Sequence, residues 1–196
     1  ECDDDSAAAR GLFGAARDWL HSQGMTSVRG PANPSLNYEC GLLIDGFDTP
    51  PMILMPHHRP YQGGLIEKAG FAKTKDLYAW KYTPGDLPPR AVRAHADIAK
   101  MPEVTTRQMD PKRLDRDVRI VMDIFNDAWS DNWGFVPMDE EEFRHMAKDM
   151  KAIVDPELLL IAEVRGQPVG FALTLPDVNQ AIHKVKDGKL FPTGLF

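Results

Sequence analysis

The sequence predicts an α/β protein of the α+β type, a mixed and mainly antiparallel sheet flanked by helices. Three observations lead there. Apolar residues recur at helical spacing in several stretches that Gly and Pro separate. "ELLLIAEVRGQPVGFALTLPD" at 157–177 reads as two strands joined by a turn. With 43% apolar and 27% charged residues over 196 positions, the chain has the balance of a globular protein that buries a core.

Taken in order, residues 5 to about 22 form the first expected helix. Ala8, Leu12, Ala16 and Trp19 fall on one face, Phe13 and Leu20 lie beside it, residues 3–6 can cap its start, and Gly24 ends it. The stretch 26–60 is dense in Gly, Pro and Asn and reads as ordered loop, with only 26–29 and 52–55 extended. "PYQGGLIEKA" at 60–69 predicts a short helix with Leu65, Ile66 and Ala69 inward and Gly70 supplying the left-handed residue after it. In "DLYAWKY" at 76–82, Leu77, Ala79 and Lys81 alternate with Tyr78, Trp80 and Tyr82, the pattern of a strand.

"TPGDLPPR" and the polar segment after it predict a linker over 84–103, dividing the chain into 1–83 and 104–196. Beyond it, "EVTTRQMD" reads as a strand. Asp110-Pro111 caps a helix that carries Leu114, Val118, Val121, Phe125 and Ala128 on one face. Asp139 and Glu142 form a capping box before a helix with Phe143, Met146, Met150 and Ile153. The hairpin at 157–177 follows, its first strand continuous in hydrophobicity and therefore central.

The formal charge of -6 provides none of the basic stripe that binding a phosphate backbone needs, which argues against a nucleic-acid partner. No apolar run approaches the roughly 20 residues of a membrane span. Cys2 and Cys40 lack metal or disulfide-framework spacing, so reduced thiols and a cytoplasmic location are expected. The start at Glu1 within the acidic "ECDDD" and the end in the apolar "KLFPTGLF" predict a piece of a longer chain.

The order strand, helix, helix, strand, strand after residue 103 resembles the opening of a GCN5-related N-acetyltransferase (GNAT) domain, with "LLLIAEVRGQPVGFALTLPD" similar to its second and third strands. The first half resembles the close of such a domain. There "AAARGLFGAARDWLHSQGM" stands for the third helix and "TSVRG" for the fifth strand. "LIEKAGFAKTKDLYAWKY" stands for the fourth helix, with its Glu-x-x-Gly-Phe ending, and the last two strands. The resemblance implies the C-terminal half of one repeat followed by the N-terminal half of a second. It also implies that the halves assemble in permuted order or by strand exchange, in a homodimer.

What the resemblance implies about function is an acyl-CoA-dependent N-acyltransferase, with acetyl-CoA or another acyl-CoA as donor, a small-molecule amine as acceptor, and no metal. Two departures bear on activity. The glycine-rich loop that cradles the cofactor pyrophosphate is absent, and Asp3, Asp4 and Asp5 stand in its place before the first helix. Ile66 occupies the position where many members carry a tyrosine that protonates the leaving thiolate. This chain is therefore expected to be inactive alone, and a non-catalytic GNAT-like binding or assembly module is the alternative.

"NDAWSDNWGFVP" at 126–137 is the candidate substrate pocket, because by resemblance it occupies the connection that borders the acceptor. Asn126, Ser130 and Asn132 offer hydrogen bonds there, and Trp129, Trp133 and Phe135 offer apolar walls. Structural anchoring is the competing reading, since Trp129 continues the Phe125 face. Elsewhere the bland readings prevail. His57 and His58 are adjacent and point apart, Cys40 beside Glu39 reads as a small buried hydrophobe, and Asp45 and Asp48 sit in turn sequences. The acidic run "DEEEF" caps a helix.

Overall fold

A computed structural model of the chain describes residues 2–83, 85–151 and 153–185. Among these, six α-helices and two small antiparallel sheets make a mixed α/β structure. It divides into two compact units: Lys81–Val178 is one, and the described residues on either side of it form the other.

In the first unit, α1 (Ser6–Ser22) begins at Asp5, whose carboxylate accepts from the Ala7 N–H at 2.7 Å and the Ala8 N–H at 3.2 Å. Those are donors that the first turn of a helix otherwise leaves unpaired. The inward face differs from the expected one. Ala9 is buried, and Phe13 and Leu20 are half-buried, whereas Leu12 and Trp19 are 60% and 64% exposed. Packing made the choice, since α1 contacts the helix at 61–68 and Phe13 meets Phe71 edge-to-face with ring centroids 5.1 Å apart.

A two-residue hairpin, β1 (Ala32–Asn33) with β2 (Glu39–Cys40), lies within the expected loop. Helix α2 (Tyr61–Lys68) forms where its sequence predicts, with Leu65 buried and Gly70 at φ 93 beyond its end. One expected extended stretch and two expected strands are not found. Residues 52–55 make a turn in which the Met55 N–H donates to the Met52 carbonyl at 3.1 Å and Leu54 takes φ 60. Neither 26–29 nor 76–82 joins a sheet, and Tyr78 and Trp80 are 76% and 88% exposed. Alternation favours an extended chain, but a strand also needs a neighbour to complete its hydrogen-bond ladder.

In the second unit, α3 (Pro89–Ile98) lies in the stretch read as a linker and buries none of its residues. β3 (Val104–Gln108) follows. Asp110 then accepts from the Lys112 N–H at 3.0 Å to start a 3-10 turn, Pro111–Arg113, that leads into α4 (Leu114–Trp129). Helix α5 (Glu140–Met150) starts at Asp139, which accepts from the Glu142 N–H at 2.8 Å. Strands β4 (Leu159–Val164) and β5 (Gln167–Leu173) complete an antiparallel sheet ordered β3-β4-β5, with β4 central as its hydrophobicity predicts. Arg165 at φ 51 and Gly166 at φ 75 make the left-handed pair that a two-residue hairpin turn requires.

The core of this unit follows from the strand period of two. Leu159 and Ile161 point to the face that α4 covers and pack with Val121, while Met109, Ile120, Phe143 and Phe171 close around them. Ile161 is fully buried, which contributes about 2 kcal/mol. On β5 an irregularity opposite Ala162 and Glu163 leaves Val169 out of register and 56% exposed.

Helix α6 (Asn179–Ile182) belongs to the first unit, where the Asn179 amide donates to the Pro51 carbonyl at 2.7 Å. The terminal "KLFPTGLF" lies outside the described residues. Among the described residues no helix is long and apolar enough to cross a membrane.

Candidate functional site

The aromatic connection between α4 and α5 is organised by Phe125, near the end of α4. Trp129, one turn on, stacks against it with centroids 5.7 Å apart. Phe135 meets it edge-on at 5.6 Å, and Phe143 of α5 approaches at 6.4 Å. The loop curls back through backbone bonds, Asn132 N–H to the Trp129 carbonyl at 2.9 Å and Phe135 N–H to the Asn132 carbonyl at 3.1 Å. Both tryptophans keep one side in solvent, Trp129 at 49% and Trp133 at 37% exposed. The result is an apolar shelf rather than a closed pocket.

The polar members divide. Asn126 is a bracket: its amide nitrogen donates to the Met138 carbonyl at 2.8 Å, and its amide oxygen accepts from the Met138 N–H at 3.0 Å. Met138 is 3% exposed, so those two bonds satisfy backbone groups that water cannot reach. Ser130 donates to the Asp127 carbonyl at 2.8 Å as a helix-end hydroxyl, and Asn132 is exposed beside the tryptophans. Anchoring and surface roles thus coexist within one stretch.

A second constellation was missed in the sequence. Asp117 of α4 is fully buried, and Arg107 of β3 grips it with two hydrogen bonds, Nη1 to Oδ2 at 2.8 Å and Nη2 to Oδ1 at 2.9 Å. The Asp110 N–H and the Arg116 Nε also donate to Asp117, at 2.8 and 3.0 Å, and the Arg107 Nε donates to Glu163 of β4 at 2.7 Å. Burial pushes the Asp117 carboxyl up, but the bonds from Arg107, from the Asp110 amide and from Arg116 outweigh it and hold the group below the usual carboxylate range. Asp117 and Glu163 hold the Arg107 guanidinium above its ordinary value in turn.

Both oxygens of Asp117 have donors, so the clamp locks β3, α4 and β4 together rather than presenting a reactive group. One signal was available. Asp117 stands three residues after Leu114 and four before Val121, on the inward face of an amphipathic helix, where a carboxylate needs a buried cation.

The remaining candidates resolve locally. His58 accepts from the Leu43 N–H at 3.1 Å through Nδ1, while His57 is exposed. Asp45 accepts from the Gly46 N–H at 3.0 Å in the turn its sequence predicts. Burial raises the Cys40 thiol above its ordinary value, which disfavours the thiolate. Among the described residues no group of three or more His, Cys, Asp or Glu is placed to hold a metal ion. The Tyr61 hydroxyl donates to the Cys2 carbonyl at 3.0 Å.

Over 193 residues the chain is 46% identical to a protein named bacterial ceramide synthase from Caulobacter vibrioides (strain NA1000 / CB15N), an alignment that covers 98% of this chain and 50% of that one. It is 40% identical over 193 residues to Protein YghO of Escherichia coli (strain K12), with coverage of 97% and 49%. The chain spans about half the length of the curated relatives it matches. No family model matches it, and no solved structure does.

Proposed function

We propose that this chain is one part of a GNAT-related, acyl-CoA-dependent N-acyltransferase whose acceptor is the amine of a long-chain amino alcohol. One observation carries the reading, the 46% identity across 98% of the chain to a protein named for ceramide synthesis. A ceramide is an amide of such an amine, so its formation joins nitrogen to an acyl carbon. The order β3, α4, α5, β4, β5, with its three antiparallel strands, supports the same reading because it is the order the resemblance implies. The shelf of Trp129, Trp133 and Phe135 is of the right chemistry to border an apolar acceptor.

The described residues do not fit the acyl-CoA itself at the helix start where the resemblance would put it. Asp5 already accepts the Ala7 and Ala8 N–H groups there, and Asp3 and Asp4 add negative charge. We therefore assign no catalytic residue to this chain and expect it to be inactive by itself. The same acidic start, together with Ile66, favours a second reading, a non-catalytic module that binds or assembles. A homodimer is part of both proposals, and light scattering that returned a monomer mass at micromolar protein would remove it.

The test is a transplant. This chain replaces the matching half of the Caulobacter relative, and mass spectrometry follows amide formation from an acyl-CoA and a long-chain amino alcohol. The proposal expects no amide from the 196-residue chain alone and amide from the chimera. A folded chimera that acylates no amine, while the unaltered relative does, would leave the binding-module reading in its place.

A further inference from the structure

In the first unit, α1, the segment 25–28 and the end of α2 surround an open cleft of about 400 Å³. Arg10, Arg17 and His21 line it from α1. No hydrogen bond or ion pair from these three side chains occurs among the described residues. Two guanidiniums and an imidazole therefore face one cleft with no carboxylate bonded to them among the described residues.

The helix period explains how they converge. Arg10, Gly14, Arg17 and His21 recur at intervals of four, three and four, and therefore share one face. The α-carbons of Arg10 and Arg17 are about 10 Å apart along the axis, a span that two long side chains can close around one small anion. Between them Gly14 leaves room, since a β-carbon added there would meet nothing within 4 Å. Phe13 and Phe71, paired edge-to-face at 5.1 Å, give the cleft an apolar wall beside its cations.

We propose that this cleft binds a phosphate monoester carried on an apolar group, the phosphate between Arg10 and Arg17 and the apolar portion against Phe13 and Phe71. A guanidinium presents paired donors that match phosphate oxygens, and two of them with an imidazole nearby suit a dianion better than a single carboxylate. The cleft is built from first-unit residues alone and does not depend on the acyl-transfer reading.

Dodecyl phosphate, kept below its micelle concentration, is titrated into the 196-residue chain by calorimetry beside inorganic phosphate and dodecanoate. Binding at least tenfold tighter than either control is expected, weakening as salt rises. It should fall at least tenfold in Arg10→Ala/Arg17→Ala, and in Gly14→Leu, which fills the cleft while retaining the helical circular-dichroism signal. Flotation with vesicles containing phosphatidic acid then separates the sources of the ligand: co-flotation supports a lipid headgroup, and its absence supports a soluble ester. No binding of dodecyl phosphate, equal binding of either control, or binding that survives both variants overturns the proposal.

Discussion

Arg107 and Asp117 lie ten positions apart in the sequence and meet through two parallel hydrogen bonds of 2.8 and 2.9 Å, one residue on β3 and the other at the buried start of α4. The clamp fixes how the helix enters over the sheet, and with it the approach of Val121 to Ile161.

Removing one partner leaves the other stranded. Asp117→Ala strips the Arg107 fork of a ligand and leaves the Asp110 N–H without its acceptor, so a loss of about 3–5 kcal/mol is expected in denaturant unfolding of the second unit. Arg107→Ala is expected to cost less, because Asp117 keeps the Arg116 and Asp110 donors. Equal losses from the two changes would show that the fork itself carries the whole effect.

The same group makes stability depend on acid. The folded-state value of Asp117 lies below that of the unfolded chain, so the unfolded state binds the proton more readily. Its contribution is complete above the unfolded carboxylate value, about 3.9, and is lost as pH falls through the lower folded value. The unfolding midpoint of the wild type should drop as pH falls below about 4, and the drop should be smaller in Asp117→Asn.

Asn126→Leu tests the bracket on the loop. The substitution preserves bulk but leaves the Met138 N–H and carbonyl, on a residue 3% exposed, without partners, and should cost about 2–3 kcal/mol. If stability is unchanged while an acceptor amine binds more weakly, Asn126 belongs to the substrate rather than to the fold.

Phe125 and Trp129 are stacked but unequal. Phe125→Ala removes the ring that Trp129, Phe135 and Phe143 all touch and should cost about 3–4 kcal/mol, while Trp129→Ala, at a half-exposed position, should cost about 1 kcal/mol. Thermal melts of the two variants give the comparison, and the reverse ranking would make Trp129 the anchor.

Gly11 sits in the interior of α1, and a β-carbon there would meet nothing within 4 Å. Gly11→Ala should raise helix stability by about 1 kcal/mol, read from the melting of the helical signal. A fall instead would mean that another surface approaches α1 closely at that point.

Helices α1, α2, α4 and α5 were legible because their signals are local, whereas α3, with no side-chain cap and no buried residue, lay in a stretch that reads as a linker. Asp5, Asp110 and Asp139 sit at helix starts in sequence as in structure, and Gly24 and Gly70 follow helix ends. The hairpin turn at Arg165-Gly166 was equally plain, since a two-residue connection between apolar runs leaves little choice of backbone. The candidate site was legible as a stretch but not as roles: composition drew attention to 126–137, yet it could not tell Asn126, held to Met138, from Asn132, which faces solvent.

The sequence by itself determined where α1, α2, α4 and α5 form, which strand is central, and that the chain carries both helices and antiparallel strands. Capping, periodicity and turn geometry act over a few residues, so neighbours in the chain suffice to specify them. Only the tertiary structure decided which face of α1 turns inward, that 76–82 finds no strand to pair with among the described residues, and that Asp117 is a buried ion. Each of these depends on what stands opposite in space, Phe71 for Phe13 and Arg107 for Asp117, and burial takes its sign from that partner.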